Sequence, residues 1–117
     1  MKLTLTAIGF VALASTAHAQ FFLDQAKGVG LTNDDYTELK AASESLYQAP
    51  SPQVGDETIW RSEAGGGYGT AELEAYDGTC AIVKHAFRTA RKGEVFRGRE
   101  QRCKADDGRW LITPIEK

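Results

Sequence analysis

The sequence predicts an α+β domain in which an N-terminal helix packs on a four- to five-stranded antiparallel meander sheet. Apolar residues recur at helical spacing between Tyr36 and Tyr47, and from Thr58 onward the apolar period changes to two. Short turn sequences separate the period-two segments, which is typical of strands that pair in chain order. With 117 residues, 42% of them hydrophobic and 26% charged, the chain is long enough for one globular domain and not for two.

Residues 1–19 have the pattern of an export signal. Lys2 gives a positive start, Leu3–Ala14 is an uncharged apolar run, and Ala17-His18-Ala19 is a signal-peptidase site. The apolar run is too short for a membrane span, which needs about 20 residues. We therefore expect cleavage after Ala19 and no transmembrane segment in the mature chain. The exported protein would reside in the periplasm, at the outer-membrane periphery or in the medium.

The start of the mature chain divides into a loop and a helix. Residues 20–30 show no clear period, so we expect a leader loop there, followed by a domain over residues 31–117. Thr32 is a suitable N-cap, and Asp35 follows it at the spacing of a capping box. The helix should end near Ala49, because Pro50 disfavours helical geometry in the residue before it.

Five period-two segments follow the helix and predict the strands of the sheet. Their ranges are Thr58–Ser62, Tyr68–Tyr76, Cys80–Ala90, Val95–Lys104 and Trp110–Ile115. In the second strand, Glu72, Glu74 and Tyr76 should share a face. In the third strand, the residues that should share a face are Val83, His85 and Phe87.

A triple glycine at residues 65–67 has two interpretations. A glycine-rich segment can cradle a phosphate where it opens a helix. Here a predicted strand follows, so we interpret the segment as a hairpin turn.

Cys80 and Cys103 both lie in the exported part of the chain, where an even number of cysteines favours a disulfide. If the third and fourth strands pair around the turn at residues 92–93, the two cysteines fall nearly opposite each other. The alternative is a catalytic pair of Cys80 and His85. Their odd spacing on one strand puts them on opposite faces, which disfavours it.

We predict no catalytic residue, no metal site and no cofactor. Only His85 remains of the two histidines after export, and a zinc site needs three or four convergent ligands. Paired carboxylates at residues 72 and 74, or 106 and 107, suit glycoside hydrolysis at the right separation. However, alternating glutamates are typical of a solvated strand face, and Asp107-Gly108 is typical of a turn.

Charge is distributed unevenly along the chain. Residues 20–79 carry 3 basic and 11 acidic side chains, whereas residues 80–109 carry 9 basic and 4 acidic ones. The basic side chains either pair with glutamates of a neighbouring strand or bind an external anion. The candidate anion-binding residues are Arg88, Arg97, Arg99 and Arg102. Because the formal net charge is −2, we expect no nucleic-acid partner. The partner that we expect for the basic segment is an anionic envelope component or an envelope protein.

Four segments of the chain carry a resemblance to a known family. They are WRSEAGGGYGTAE (Trp60–Glu72), GTC (Gly78–Cys80), FRGREQRC (Phe96–Cys103) and DGRW (Asp107–Trp110). Together they resemble the bacterial surface antigen domain, the C-terminal module of 17-kDa-type outer-membrane antigens. The matching positions are Trp60, Gly67, Cys80, Gly98, Cys103, Asp107, Gly108 and Trp110. The antigens usually have a lipidated N-terminal cysteine, a glycine-zipper segment and an arginine after the first cysteine, where this chain has Ala81.

The resemblance implies an exported bacterial cell-envelope protein that is a non-catalytic binding or structural module. The alternative class is a small periplasmic inhibitor of an exported hydrolase. Such an inhibitor would plug an active site with a rigid, disulfide-stapled hairpin.

Overall fold

The computed structural model describes residues 22–115, and the predicted signal peptide therefore lies outside the described residues. Two helices, α1 (residues 22–28) and α2 (Asn33–Tyr47), precede five strands. The strands are β1 (Glu57–Arg61), β2 (Tyr68–Tyr76), β3 (Cys80–Arg88), β4 (Phe96–Lys104) and β5 (Trp110–Thr113). They form one antiparallel sheet in the order β1-β2-β3-β4-β5, which confirms the predicted α+β meander.

Helix α1 lies where we predicted a leader loop, so that prediction was wrong. Phe22 and Ala26 are one helical turn apart and are both buried in the core. The helix is terminated at Gly30, whose φ of +103° is accessible to glycine. The Leu31 N–H donates to the Ala26 carbonyl over 3.0 Å and closes the last turn. Two buried residues are too few to establish a helical period in the sequence, which explains the error.

Helix α2 begins as the sequence predicts. The Thr32 side chain accepts a hydrogen bond from the Asp35 N–H over 3.0 Å, and the Asp35 carboxylate accepts one from the Thr32 N–H over 3.1 Å. These two bonds form the capping box and satisfy donors that the helix itself leaves free. The helix ends at Tyr47 with Gln48 as its C-cap, close to the predicted end before Pro50.

The helices cover one face of the sheet, and we call the other face the open face. Helix α2 packs across β1 and β2, and α1 reaches β4 through a contact of the Phe22 and Phe96 rings. In β3, every second residue is therefore buried, as at Val83 and Phe87, while Arg97 on the open face of β4 is exposed. This alternation confirms that Val83, His85 and Phe87 share a face.

A β-bulge in β2 changes the predicted alternation. Leu73 opposes Val83 and Ala75 opposes Ile82, so Glu74 is an extra residue in this strand. Beyond the bulge, Tyr76 packs against the buried core instead of sharing a face with Glu74 as predicted. One inserted residue reverses which face the following side chains take, and the sequence period does not show it.

The hairpin of β3 and β4 contains the predicted disulfide. Cys80 directly opposes Cys103, their Cα atoms are 4.0 Å apart, and a disulfide joins them. The bond lies at the base of the hairpin, and loop 89–95 forms its tip. His85 is buried beneath the helices on the opposite face from the cysteines, which confirms that Cys80 and His85 point apart.

Candidate functional site

A basic and apolar surface lies at one end of the open face, beside loops 62–67 and 89–95. We call it the arginine patch. Its residues are Ile59 and Arg61 of β1, Tyr68 of β2, Arg88 of β3, Val95 of loop 89–95 and Arg97 of β4. They line a cleft of about 660 Å³. Arg88 and Arg97 were predicted from the sequence, and the other four were not. Ile59, Arg61 and Tyr68 join the patch through strand pairing, and Val95 joins it from the loop before β4.

Strand register places the patch residues side by side. Arg61 opposes Tyr68, and Tyr68 opposes Arg88, so the tyrosine lies between two arginines. The backbones of these arginines are two strand spacings apart, about 10 Å. Arg97 opposes Ala86 and is therefore a diagonal neighbour of Arg88, at about 7–8 Å. This spacing allows the three long side chains to reach a common ligand.

The patch arginines are exposed and are not paired with carboxylates within salt-bridge distance among the described residues. Among residues 22–115, none of Arg61, Arg88 and Arg97 forms a salt bridge. The Arg88 side chain donates one hydrogen bond to the Gly93 carbonyl, which leaves its charge uncompensated. Three guanidinium groups are thus free to bind an anion.

Arg99 and Lys84 form internal ion pairs instead. Arg99 donates to both carboxylate oxygens of Glu74, over 2.9 and 2.6 Å. This hydrogen-bonded pair lowers the pKa of Glu74 below its ordinary value. Lys84 Nζ lies 3.6 Å from a carboxylate oxygen of Glu72. Arg99 therefore pairs with a glutamate inside the protein. Arg97 has no such pair among the described residues, so its guanidinium group can bind an external anion.

Arg102 lies on the covered face, which removes it from the candidate anion-binding residues. It is 4% exposed. Its Nε donates to Glu100 Oε1 over 3.2 Å, and its Nη2 donates to the Tyr36 hydroxyl over 2.8 Å. Residues 97 and 99 share one face of β4 and residues 100 and 102 share the other, so this arginine points into the core.

Glu100 is the centre of a buried polar cluster between α2 and the sheet. Its Oε1 accepts a hydrogen bond from the Ser43 hydroxyl over 3.3 Å and lies 3.6 Å from His85 Nε2. Burial raises the pKa of the Glu100 carboxyl, but the combined lowering by His85 and Arg102 is larger. The pKa of Glu100 is therefore below its ordinary value. The cluster therefore holds a carboxylate in the core with Arg102 as its counter-ion, and it is closed to solvent.

The triple glycine holds a carboxylate that belongs to the protein itself. The Gly67 N–H donates to Asp35 Oδ1 over 3.0 Å, and Asp35 is fully buried. A Cβ atom on Gly67 would lie 2.8 Å from the Asp35 carboxyl carbon, so only glycine permits this approach. The segment is the turn between β1 and β2, as predicted. Its contact with Asp35 joins residues 32 positions apart, which local sequence patterns do not show.

The side chains of the catalytic alternatives are engaged in other contacts. Both cysteines are in the disulfide, so no thiolate is available for a Cys-His pair. Glu72 and Glu74 each pair with a basic side chain, and Asp107 accepts a 2.7 Å hydrogen bond from Arg109. In the part of the chain that the structure describes, no group of three His, Cys, Asp or Glu residues is placed to hold a metal ion.

The residues that carry the surface antigen resemblance occupy structural positions. Trp60 belongs to the buried core. Gly98 lies beneath the Phe22 ring, where a Cβ atom would be 2.7 Å from a ring carbon. Asp107-Gly108 forms the turn before β5, and Trp110 packs against the core behind it. These positions explain why the fold needs these residue types, and they include none of the patch arginines.

Comparison of the chain with protein-family models, with curated proteins and with solved structures gives no match. Within residues 22–115, neither helix has the length and apolar character that a membrane crossing requires.

Proposed function

We propose that the protein is an exported bacterial cell-envelope module of the surface-antigen type, non-catalytic, which binds anionic envelope groups through the arginine patch. One observation carries the proposal: Arg61, Arg88 and Arg97 meet at one end of the open face and form no salt bridge within the described residues. A guanidinium group binds phosphate or carboxylate through two parallel hydrogen bonds, so three of them suit such a ligand.

Export has separate support from the disulfide and from the predicted signal peptide. Disulfides persist in oxidising compartments such as the bacterial periplasm. The mature protein should begin at Gln20, and the intact mass of the product isolated from the envelope measures this. A product that retains residues 1–19 would contradict the assignment of a signal peptide.

Anion binding is tested by retention on a phosphate-bearing resin as salt is raised. Arg88→Gln with Arg97→Gln should elute at much lower salt than the wild type, because two of the three patch guanidinium groups are lost. Lys104→Gln with Arg109→Gln removes the same charge from the other end of the sheet and is the matched control. Equal elution of the two double variants would show that net charge, rather than the patch, retains the protein.

Inhibition of an exported hydrolase is the second candidate, and the β3–β4 hairpin favours it. The hairpin is closed at its base by the disulfide. Its tip is held to the end of α1, since Thr89 Oγ1 donates to the Val29 carbonyl over 2.6 Å and Arg91 Nη2 to the Gly28 carbonyl over 2.9 Å. A rigid exposed loop is what an inhibitor presents to an active site. A pull-down from envelope extract that returns one dominant hydrolase would support inhibition over anion binding.

A further inference from the structure

The arginine patch also contains three large apolar side chains that are exposed to solvent. Ile59 is 78% exposed, Tyr68 49% and Val95 40%. Within the described residues only two other large hydrophobic side chains are exposed, Val54 and Leu111. Three of five such side chains therefore lie among the unpaired arginines, and an inorganic anion alone would leave them in water.

Apolar and cationic side chains alternate across this end of the open face. One row of paired residues across β1–β4 consists of Ile59, Thr70, Ala86 and Arg97, in that order. The next row holds Arg61, Tyr68 and Arg88. The apolar side chains are thus within about two strand spacings of a guanidinium group. A partner with apolar groups directly beside anionic groups fits this arrangement.

We infer that the arginine patch docks peripherally on an anionic lipid bilayer, with Ile59 and Tyr68 at the boundary between headgroups and acyl chains and the arginines on lipid phosphates. The inference rests on the proposed anion binding and specifies its ligand. Tyrosine is favoured at the membrane–water interface, because its ring is apolar and its hydroxyl is polar. Arginine side chains can extend from an apolar surface to the headgroup layer.

The surrounding charges confine the docking to this end of the molecule. On the open face, the three patch arginines are flanked by one carboxylate that forms no salt bridge within the described residues, that of Glu57. In loop 89–95 the charges of Lys92 and Glu94 cancel, and Arg91 is bound to the Gly28 carbonyl beside α1. The carboxylates of Asp34, Glu38 and Glu63 line a separate cleft with Arg61. The local balance on the open face is therefore positive, and it is attracted by anionic lipid headgroups. Farther along the open face, the ion pairs of Lys84 and Arg99 are internally neutral and gain nothing from a bilayer.

A bilayer explains the exposure of Ile59 better than an acidic peptide does. A side chain that is 78% exposed projects from the sheet, so a peptide lying on the sheet would contact it on one side only. A lipid interface surrounds a projecting side chain and buries most of its surface. The bilayer is therefore the occupant that removes the most apolar surface from water at this position.

Flotation of the mature, oxidised protein with vesicles tests the inference. One set of vesicles contains phosphatidylglycerol and phosphatidylcholine, and the other contains phosphatidylcholine alone. The wild type should float with the anionic vesicles at about 0.1 M salt and dissociate at about 1 M, where charges are screened within about 3 Å. Arg88→Gln with Arg97→Gln should weaken binding about 25-fold, at about fivefold for each cation.

The apolar contribution is tested by Ile59→Ser, which should weaken vesicle binding about tenfold by losing the burial of the isoleucine. Leu111→Ser is the matched control, since Leu111 is 45% exposed on the same face at the far end of the sheet. This control should bind vesicles as the wild type does. Both substitutions are at exposed positions, and circular dichroism checks that the fold is retained.

Several outcomes would overturn the inference. Retention on the phosphate resin without flotation would reject the bilayer and leave anion binding in place. Loss of retention on the resin as well would reject the proposed function together with the inference. Flotation that is unaffected by Ile59→Ser would reject insertion, and displacement of the protein from vesicles by polyglutamate at the same charge concentration would assign the patch to acidic polypeptides. A dimer that Ile59→Ser converts to monomer would assign the patch to a second copy of the chain.

Discussion

Removing one member of the buried Glu100–Arg102 pair should destabilise the fold severely. The substitution Arg102→Met keeps an unbranched side chain in the core but removes the guanidinium group. Glu100, whose side chain is 1% exposed, would then remain in the core without its counter-ion. Breaking a buried ion pair by removing one partner costs about 3–5 kcal/mol. The Tyr36 hydroxyl also loses a hydrogen-bond donor, which adds about 1 kcal/mol.

The loss should depend on pH, because Glu100 is ionised in the native wild type. Its pKa is lowered on folding, from about 4.3 in the unfolded chain. The ionised carboxylate therefore stabilises the wild type above about pH 4.3, and this stability is lost as the pH falls through the folded pKa. In Arg102→Met, a proton on the Glu100 carboxyl relieves the uncompensated charge. The difference in unfolding free energy between wild type and variant should thus be largest near about pH 7 and smaller near about pH 4.

Urea unfolding followed by circular dichroism measures this difference. The matched control is Arg99→Met, because Arg99 lies on the same strand and pairs with Glu74 while its side chain is 47% exposed. The control should lose less than about 1 kcal/mol. A loss below about 1 kcal/mol for Arg102→Met, or equal losses for the two variants, would refute the reasoning. Replacing both partners, as Glu100→Gln with Arg102→Met, should cost less than Arg102→Met alone.

Three further predictions concern stability, and urea unfolding measures each of them. Replacing both cysteines with serine should lower the unfolding free energy by about 3.4 kcal/mol, because the disulfide spans a sequence separation of 23, and an unchanged value would contradict the entropic argument. Gly98→Ala should cost about 1–3 kcal/mol, because its Cβ atom would lie 2.7 Å from the Phe22 ring. Gly93→Ala, with no heavy atom within 4 Å, should cost less, and equal losses would argue against a steric cause. Asp35→Ala should cost about 2 kcal/mol or more, since it removes the capping box and the acceptor of the Gly67 N–H. The exposed neighbour Asp34→Ala is its control, and a similar loss there would indicate a general charge effect at the helix terminus.

Local patterns in the sequence determined most of the fold. The cap at Thr32 and the break at Pro50 set the limits of α2 almost as observed. The five strands lie within a few residues of their predicted ranges, because short turns and period-two alternation are local signals. The disulfide followed from the same hairpin, since two cysteines at similar distances from a turn fall nearly opposite each other, and the observed register places them directly opposite. Helix α1 was missed because its burial depends on a sheet that lies later in the chain.

The candidate site required the tertiary structure. Arg97 and Arg99 are equivalent in the sequence, yet Arg99 pairs with Glu74, which is 25 residues away and on a strand that is not its neighbour in the sheet. Arg102 was counted with them, and only the position of the helices showed that its face of β4 is buried. Arg61 joined the patch through two strand pairings. Periodicity shows which residues share a face, whereas burial and ion pairing depend on what packs against that face, and those contacts join residues far apart in the chain.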